Sequence, residues 1–313
     1  MTPFDRQTVK QTALQTLAEN ESNHKKLVLI HSGAILLLTF ALMLVDYLLS
    51  LKISTTGGLG GISTRTTLTT IQTGLWLAQL AVIPFWQVGY TYMTLQLAKG
   101  KPVSFKSLLQ GFLRFGPVLR LLLLQLVLYI GVGLICSNVT SMIFIYTPWA
   151  DSIYAVMDAM NQGVEFTNEA LLAASGDAIA PLMIMFFAVF IPVYAVVSYI
   201  YRLAMFSLLD DEKTGAFAAM RNSRILTRGH RLQLFKLDLS FWWFYALEIL
   251  ISSLSFLDLL LPLLGINLPI PAAVVTFIGF ALYAAGELAL YYWRKNEIYV
   301  TYATVYNTLM EEN

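Results

Sequence analysis

Six long apolar runs separated by polar segments organise this chain: residues 27–51, 68–97, 117–145, 180–209, 237–264 and 272–293. Each is long enough to cross the hydrocarbon core of a bilayer, which needs ~20 apolar residues. The surplus length of the second, third and fourth runs implies tilt or a short extension beyond the bilayer. The predicted fold class is all-α: a polytopic membrane protein with six transmembrane helices plus short amphipathic interfacial helices on the cytoplasmic side. Residues 1–26 read as a cytoplasmic amphipathic segment carrying Phe4, Val9, Ala13, Leu14 and Leu17. Residues 27–293 form the membrane domain, and residues 294–313 a cytoplasmic C-terminal helix.

The polar segments have their own periodicity. After the break at Pro102, Ser104 is a helix cap. Phe105, Leu108, Leu109 and Phe112 then share one helical face, so an elbow helix should lead into the third span at Gly116 and Pro117. A second elbow is expected over 214–227. Asp210, Asp211 and Glu212 would favour its N-terminus through the helix dipole, and Gly229 would close it. Placing Gly116 over Gly229 suggests a weak parallel repeat of 68–140 and 180–255. The outer loop 148–180 has room for two short helices, near 150–161 and 168–174. The glycine-rich stretch 57–61 reads as a flexible outer loop. Prolines at 84, 117, 181, 192 and 262 either kink spans or unwind them and expose carbonyls.

Composition sharpens the class. Hydrophobic residues are 57% and charged residues 12% of the chain, roughly half the charge of an ordinary soluble domain. The net charge of +1 matters less than its distribution. Eighteen of the twenty Lys and Arg fall in or beside the odd-numbered polar segments. Cytoplasmic loops carry such an excess, so both termini should be cytoplasmic. No cleavable signal peptide is expected, because ~25 polar residues precede an overlong first span. The lone Cys136, inside the third span, excludes internal disulfides and thiolate clusters and reads as a small packing residue.

Two constellations could carry function. Arg221, Arg224 and Arg228 lie on one face of the second elbow, with His230 and Arg231 just beyond it. Basic groups beside a membrane attract anionic lipid at ~1 kcal/mol each, and guanidinium forks suit phosphate. This face would bind anionic headgroups, or a membrane or cytosolic protein partner, unless its arginines only fix topology. The second constellation is Glu248 and Glu287, which neighbouring antiparallel spans would hold in the inner half to middle of the bilayer. A carboxylate there costs several kcal/mol unless paired, protonated or hydrated, so the two read as a transport or proton site or as satisfied packing groups. Asp46 and Asp258 lie nearer the outer interface. Asp238 should form a structural ion pair beside Lys236 and Arg202. Glu165 and Glu169 belong to a solvated acidic face rather than a calcium loop. His31 reads as packing. No zinc-binding, nucleophile-elbow or Cys–His pattern occurs, so no catalytic residue, metal or cofactor is expected, nor any nucleic-acid partner.

The stretch from Tyr201 to Trp242 carries a further signal. Ser223-Arg224, Gly229-His230-Arg231, Leu234-Phe235, Leu239-Ser240-Phe241 and Trp242 resemble the pattern of the bacterial integral membrane family filed as domain of unknown function 975, with Arg231 for a lysine. The run from Tyr302 to Leu309 resembles that family's aromatic ending. The resemblance implies a multi-pass protein of the bacterial cytoplasmic membrane and supplies no catalytic residues. The leading expectation is a non-enzymatic adaptor or regulatory protein binding lipid or a partner through its basic face. The alternative is a small transporter or transport component with Glu248 and Glu287 in the path.

Overall fold

The computed structural model describes residues 5–55, 61–162, 168–266 and 269–312, and among these no strand occurs. The helices are α1 Arg6–Glu19, α2 Glu21–Thr55, α3 Gly61–Ala98, α4 Phe105–Leu108, α5 Gln110–Leu113, α6 Phe115–Phe144, α7 Ala150–Asn161, α8 Asn168–Tyr201, α9 Ala204–Asp210, α10 Ala216–Leu226, α11 Arg231–Leu239, α12 Trp242–Ser253, α13 Leu257–Leu263, α14 Ala272–Leu290 and α15 Asn296–Glu311. By length and composition, six stretches can cross a membrane: His24–Lys52, Thr66–Ala98, Phe115–Phe144, Ala178–Asp210, Trp242–Leu263 and Ala272–Glu311. The glycine-rich stretch at 57–60 lies outside the described residues, as does Glu165 and the side chain of Glu169.

The chain divides into two compact units, Met1–Val118 with Leu203–Asn313, and Leu119–Arg202. In the first, α15 is the central element. Val300, Tyr302, Ala303, Val305, Tyr306 and Leu309 are all buried, and α1 and α3 pack against the helix. Its threonines bond within the helix, Thr301 to the Glu297 carbonyl at 2.6 Å and Thr304 to that of Val300 at 2.9 Å. The expected C-terminal helix is thus part of the core of this unit. Asp5 caps α1, its carboxylate accepting from the Gln7 and Thr8 amides at 3.2 Å each. Val9 and Ala13 then seat α1 on its neighbours.

The first elbow is two separate turns, α4 and α5, broken at Leu109, rather than one helix. Both turns pack closely on α3. A Cβ on Gly89 would lie 1.8 Å from the Leu108 carbonyl oxygen, and one on Gly111 would lie 1.9 Å from that of Phe85. The second elbow, α10, packs on α9, with the Leu203 amide donating to Ser223 Oγ at 3.2 Å and Asn222 donating to Ser207 Oγ at 3.1 Å. Asp210 closes α9 rather than opening α10, pairing with Lys99 and accepting from the Tyr306 hydroxyl at 3.1 Å. Asp211 instead organises the turn before α10, accepting from the Lys213 amide and the Thr214 hydroxyl. Arg114 caps the end of α9 through the Leu208 carbonyl at 2.6 Å.

Both halves therefore fold a span end against an elbow, but the two glycines are not equivalent. Gly229 takes a positive φ of 86° in the turn after α10, whereas Gly116 lies in the first turn of α6 without one. The helices α3 and α8 continue through Pro84, Pro181 and Pro192. The stretch able to span begins at Trp242, because a turn at Ser240 and Phe241 separates α11 from α12. Asp238 there accepts the hydroxyls of Tyr245 at 2.9 Å and Tyr302 at 2.5 Å.

In the second unit α7 occupies the expected 150–161, and Ala150 packs with Phe144 and Ala178. Asp151 and Asp158 point to solvent. The helix expected over 168–174 is the first part of the continuous α8. Tyr129 and Tyr194 meet at 5.0 Å.

Candidate functional site

Glu248 and Glu287 come together through a residue that the sequence analysis left out. Lys295 Nζ donates to Glu248 Oε1 at 2.6 Å and to Glu287 Oε2 at 3.3 Å. It also lies 4.2 Å from the centre of the Tyr291 ring, a further electrostatic attraction. Glu287 is 6% exposed, so its charge depends on this partner.

The backbone that delivers Lys295 is unusual. Between α14 and α15 the helix widens to a π-turn over Tyr291–Lys295. Asn296 Nδ2 donates to the Tyr291 carbonyl at 2.9 Å across the wide turn, and the Tyr90 hydroxyl bonds to Asn296 Oδ1. Such turns occur inside α-helices mostly as single insertions and often at functional sites. Here the extra residue rotates all later side chains about the axis, which separates the site-facing Lys295 from the core-facing Asn296.

The three charged groups line a cavity of about 220 Å³. Its walls are Ser32, Ile35 and Leu36 from α2, Ser252 from α12, and Tyr283 and Tyr291 from the α14 end. The volume holds several waters, each needing ~30 Å³. With every group ionised, two carboxylates face one ammonium, leaving one negative charge uncompensated.

A second cavity, about 540 Å³, lies further along the same helices. Thr39, Asp46, Gln72, Gln79 and Ser255 line it, together with Phe280. Pro84 is also in its wall, beside Leu80. Proline has no N–H for the carbonyl four residues earlier, so the Leu80 carbonyl lacks its helical donor there. Polar rungs among the described residues join α2 to α3: Asp46 with Gln72, Thr39 with Gln79 at 3.5 Å, and His31 Nε2 with Gln87 Oε1 at 3.3 Å. Polar pairs of this kind hold transmembrane helices together. The seven-residue spacing of Gln72 and Gln79, matching that of Thr39 and Asp46, is a signal the sequence reading passed over. His31 is fully buried against Tyr90, ring centroids 4.4 Å apart, as a packing residue. Asp258 accepts from Thr276 at 3.2 Å.

The basic face has a different character. Arg221, Arg224 and Arg228 are exposed along α10 and the turn after it. Phe217 and Ile225 stand exposed beside them, at 76% and 50%. His230 is buried and bonds to Gln233 at 3.1 Å, and Arg231 is partly buried. The stripe is therefore three arginines wide, and the structure does not bring it together with Glu248 or Glu287. Among the described residues no group of three His, Cys, Asp or Glu could hold a metal ion.

A protein-family profile described as "Protein of unknown function (DUF975)" matches residues 14–297 of this chain. No curated protein and no solved structure matches it.

Proposed function

This chain belongs to the DUF975 family of proteins of unknown function, and we propose that it is a membrane transport protein, or a transport component, that takes up one positive charge at Glu248 and Glu287. The observation carrying this reading is the polar cavity in which two carboxylates share one lysine. Ionisable residues inside a membrane are costly unless compensated and mark ion and proton pathways. The excess negative charge suits a proton or a small alkali cation, with Lys295 holding the carboxylates apart and ready. The activity is non-enzymatic. The Lys and Arg distribution supports cytoplasmic termini, and the family resemblance supports the bacterial cytoplasmic membrane.

The test is ion flux into liposomes containing the purified protein. A pH-sensitive dye reports protons and an alkali-cation dye reports Na⁺ or K⁺, with an imposed gradient of each. Wild type should carry one of these ions, and Glu248→Gln should abolish that flux at unchanged protein level. Equal flux from the two proteins would overturn the proposal.

A second reading rests on the exposed pairing of Arg221, Arg224 and Arg228 with Phe217 and Ile225. A face mixing guanidinium and apolar groups suits the headgroup layer of an anionic membrane, so lipid binding could regulate the protein there. Charge reversal at Arg221 and Arg224 should then release bound anionic lipid in native mass spectrometry.

A further inference from the structure

The two cavities share α2, α14 and the segment around the end of α12, while α3 lines only the second. On α2, Ser32 lines the first cavity while Thr39 and Asp46 line the second. These three are spaced by seven residues, so they share one side of the helix. From Ser32 to Asp46 is about 21 Å at 1.5 Å per residue, most of the ~30 Å hydrocarbon core. Three residues apart, Ser252 at the end of α12 lines the first cavity and Ser255 in the 3₁₀ turn after it lines the second. On α14, Tyr283 faces the first cavity and Phe280 the second, and their rings touch with centroids 5.9 Å apart.

We propose that the two cavities are the halves of one transmembrane pathway for a small cation, closed between them by Phe280, Tyr283 and Leu36. The inner half carries the Glu248–Lys295–Glu287 centre. The outer half offers Asp46 as its carboxylate, with the Gln72, Gln79 and Thr39 side chains as polar stations. Leu36 is 8% exposed and Phe280 8% exposed, so the partition between the halves is a packed apolar one. A rotation of Phe280 about its side-chain bonds would join the halves without breaking a helix. The rungs between α2 and α3 would keep the wall intact while it opened. This inference rests on the transport reading for its cargo, and its test separates the two.

The test is cysteine accessibility in sealed vesicles, in a Cys136→Ser background. A small cationic, membrane-impermeant methanethiosulfonate is added to one side or the other. Ser252→Cys should react only from the side bearing Lys295. Thr39→Cys and Ser255→Cys should react only from the opposite side. Adding Phe280→Ala should speed modification of Ser252→Cys from that opposite side at least tenfold, and Phe280→Val serves if the alanine variant does not fold. Thr39→Cys and Ser255→Cys inert from both sides, or Ser252→Cys still closed after Phe280 is shortened, would overturn the pathway. Labelling as expected, with flux unaffected by Glu248→Gln, would uphold the pathway and overturn the transport centre. Flux lost in Glu248→Gln with the outer cysteines inert would do the reverse.

Discussion

Replacing Lys295 by Met keeps the volume and apolar stem of the side chain and removes its charge. In the wild type the ammonium faces Glu248 at 2.6 Å and Glu287 at 3.3 Å. At an effective dielectric of ~20 these separations correspond to gross attractions of about 6 and 5 kcal/mol. Desolvation of all three groups offsets much of that gain. The net quantity to expect is the penalty for stranding a buried charge, about 3–5 kcal/mol. Glu287 should carry most of it, since its side chain is 8% exposed against 30% for Glu248. Thermal unfolding in detergent, followed by tryptophan fluorescence, should show a Tm drop on the order of 10 °C for Lys295→Met. Adding Glu287→Gln removes the stranded charge and should recover more than half of the loss. Adding Glu248→Gln should recover less. A Lys295→Met protein as stable as wild type would refute the compensation argument. So would equal rescue by both glutamines, because burial then would not govern the penalty.

Three further predictions concern the frame around the site. Gly89→Ala drives a methyl into the Leu108 carbonyl and should destabilise by about 1–3 kcal/mol or more, while Gly74→Ala, with nothing within 4 Å, should be neutral or gain up to ~1 kcal/mol; comparative Tm measurements decide it. Asn296→Ala strips the Tyr90 hydroxyl and the Tyr291 carbonyl of their partner, which should cost about 1–3 kcal/mol and reduce ion flux as the π-turn relaxes. Bonds from the Thr8 hydroxyl, then from the Gln7 and Thr8 amides, hold the Asp5 carboxyl below its ordinary range. That contribution to α1 is present above the usual carboxylate range and lost as pH falls through the lowered value. Hydrogen exchange at the first turn of α1 should therefore quicken in Asp5→Ala near neutral pH, and the difference from wild type should vanish in strong acid.

Much of this architecture is legible in sequence because a bilayer imposes a coarse rule: an apolar run of sufficient length must be a helix. That rule predicts the six spans, turn chemistry adds Gly229, and the length of the outer loop leaves room for α7. It says nothing about partners distant in the chain. Lys295 stands 47 residues from Glu248 and reads in sequence as a basic residue marking the end of the last span. Lys295 ends a π-turn, and the run Tyr291-Tyr292-Trp293 carries no local sign of that turn. The turn between α11 and α12 falls at Ser240 and Phe241, where Asp238 and Ser240 already interrupt the apolar run that the span was expected to begin with. The expected elbow over 104–115 is helical at 105–108 and 110–113, interrupted only at Leu109. The helix α15 has Thr, Val and Tyr residues equally suited to an interface or a core, and its burial depends on surfaces supplied by α1 and α3.

That burial sets a timetable for biogenesis. Tyr90 finds Asn296 only 206 residues later, and Gln87 waits as long for Tyr299, to whose hydroxyl it donates at 2.7 Å. At 5–20 residues per second of synthesis the delay is roughly 10–40 s. During it, the early spans lack the partners that the polar C-terminal end of α3 has in the folded protein. The nascent protein should be more open to proteolysis until α15 is made. Ribosome stalling anywhere before α15 should turn an otherwise well-inserted chain into one marked for destruction.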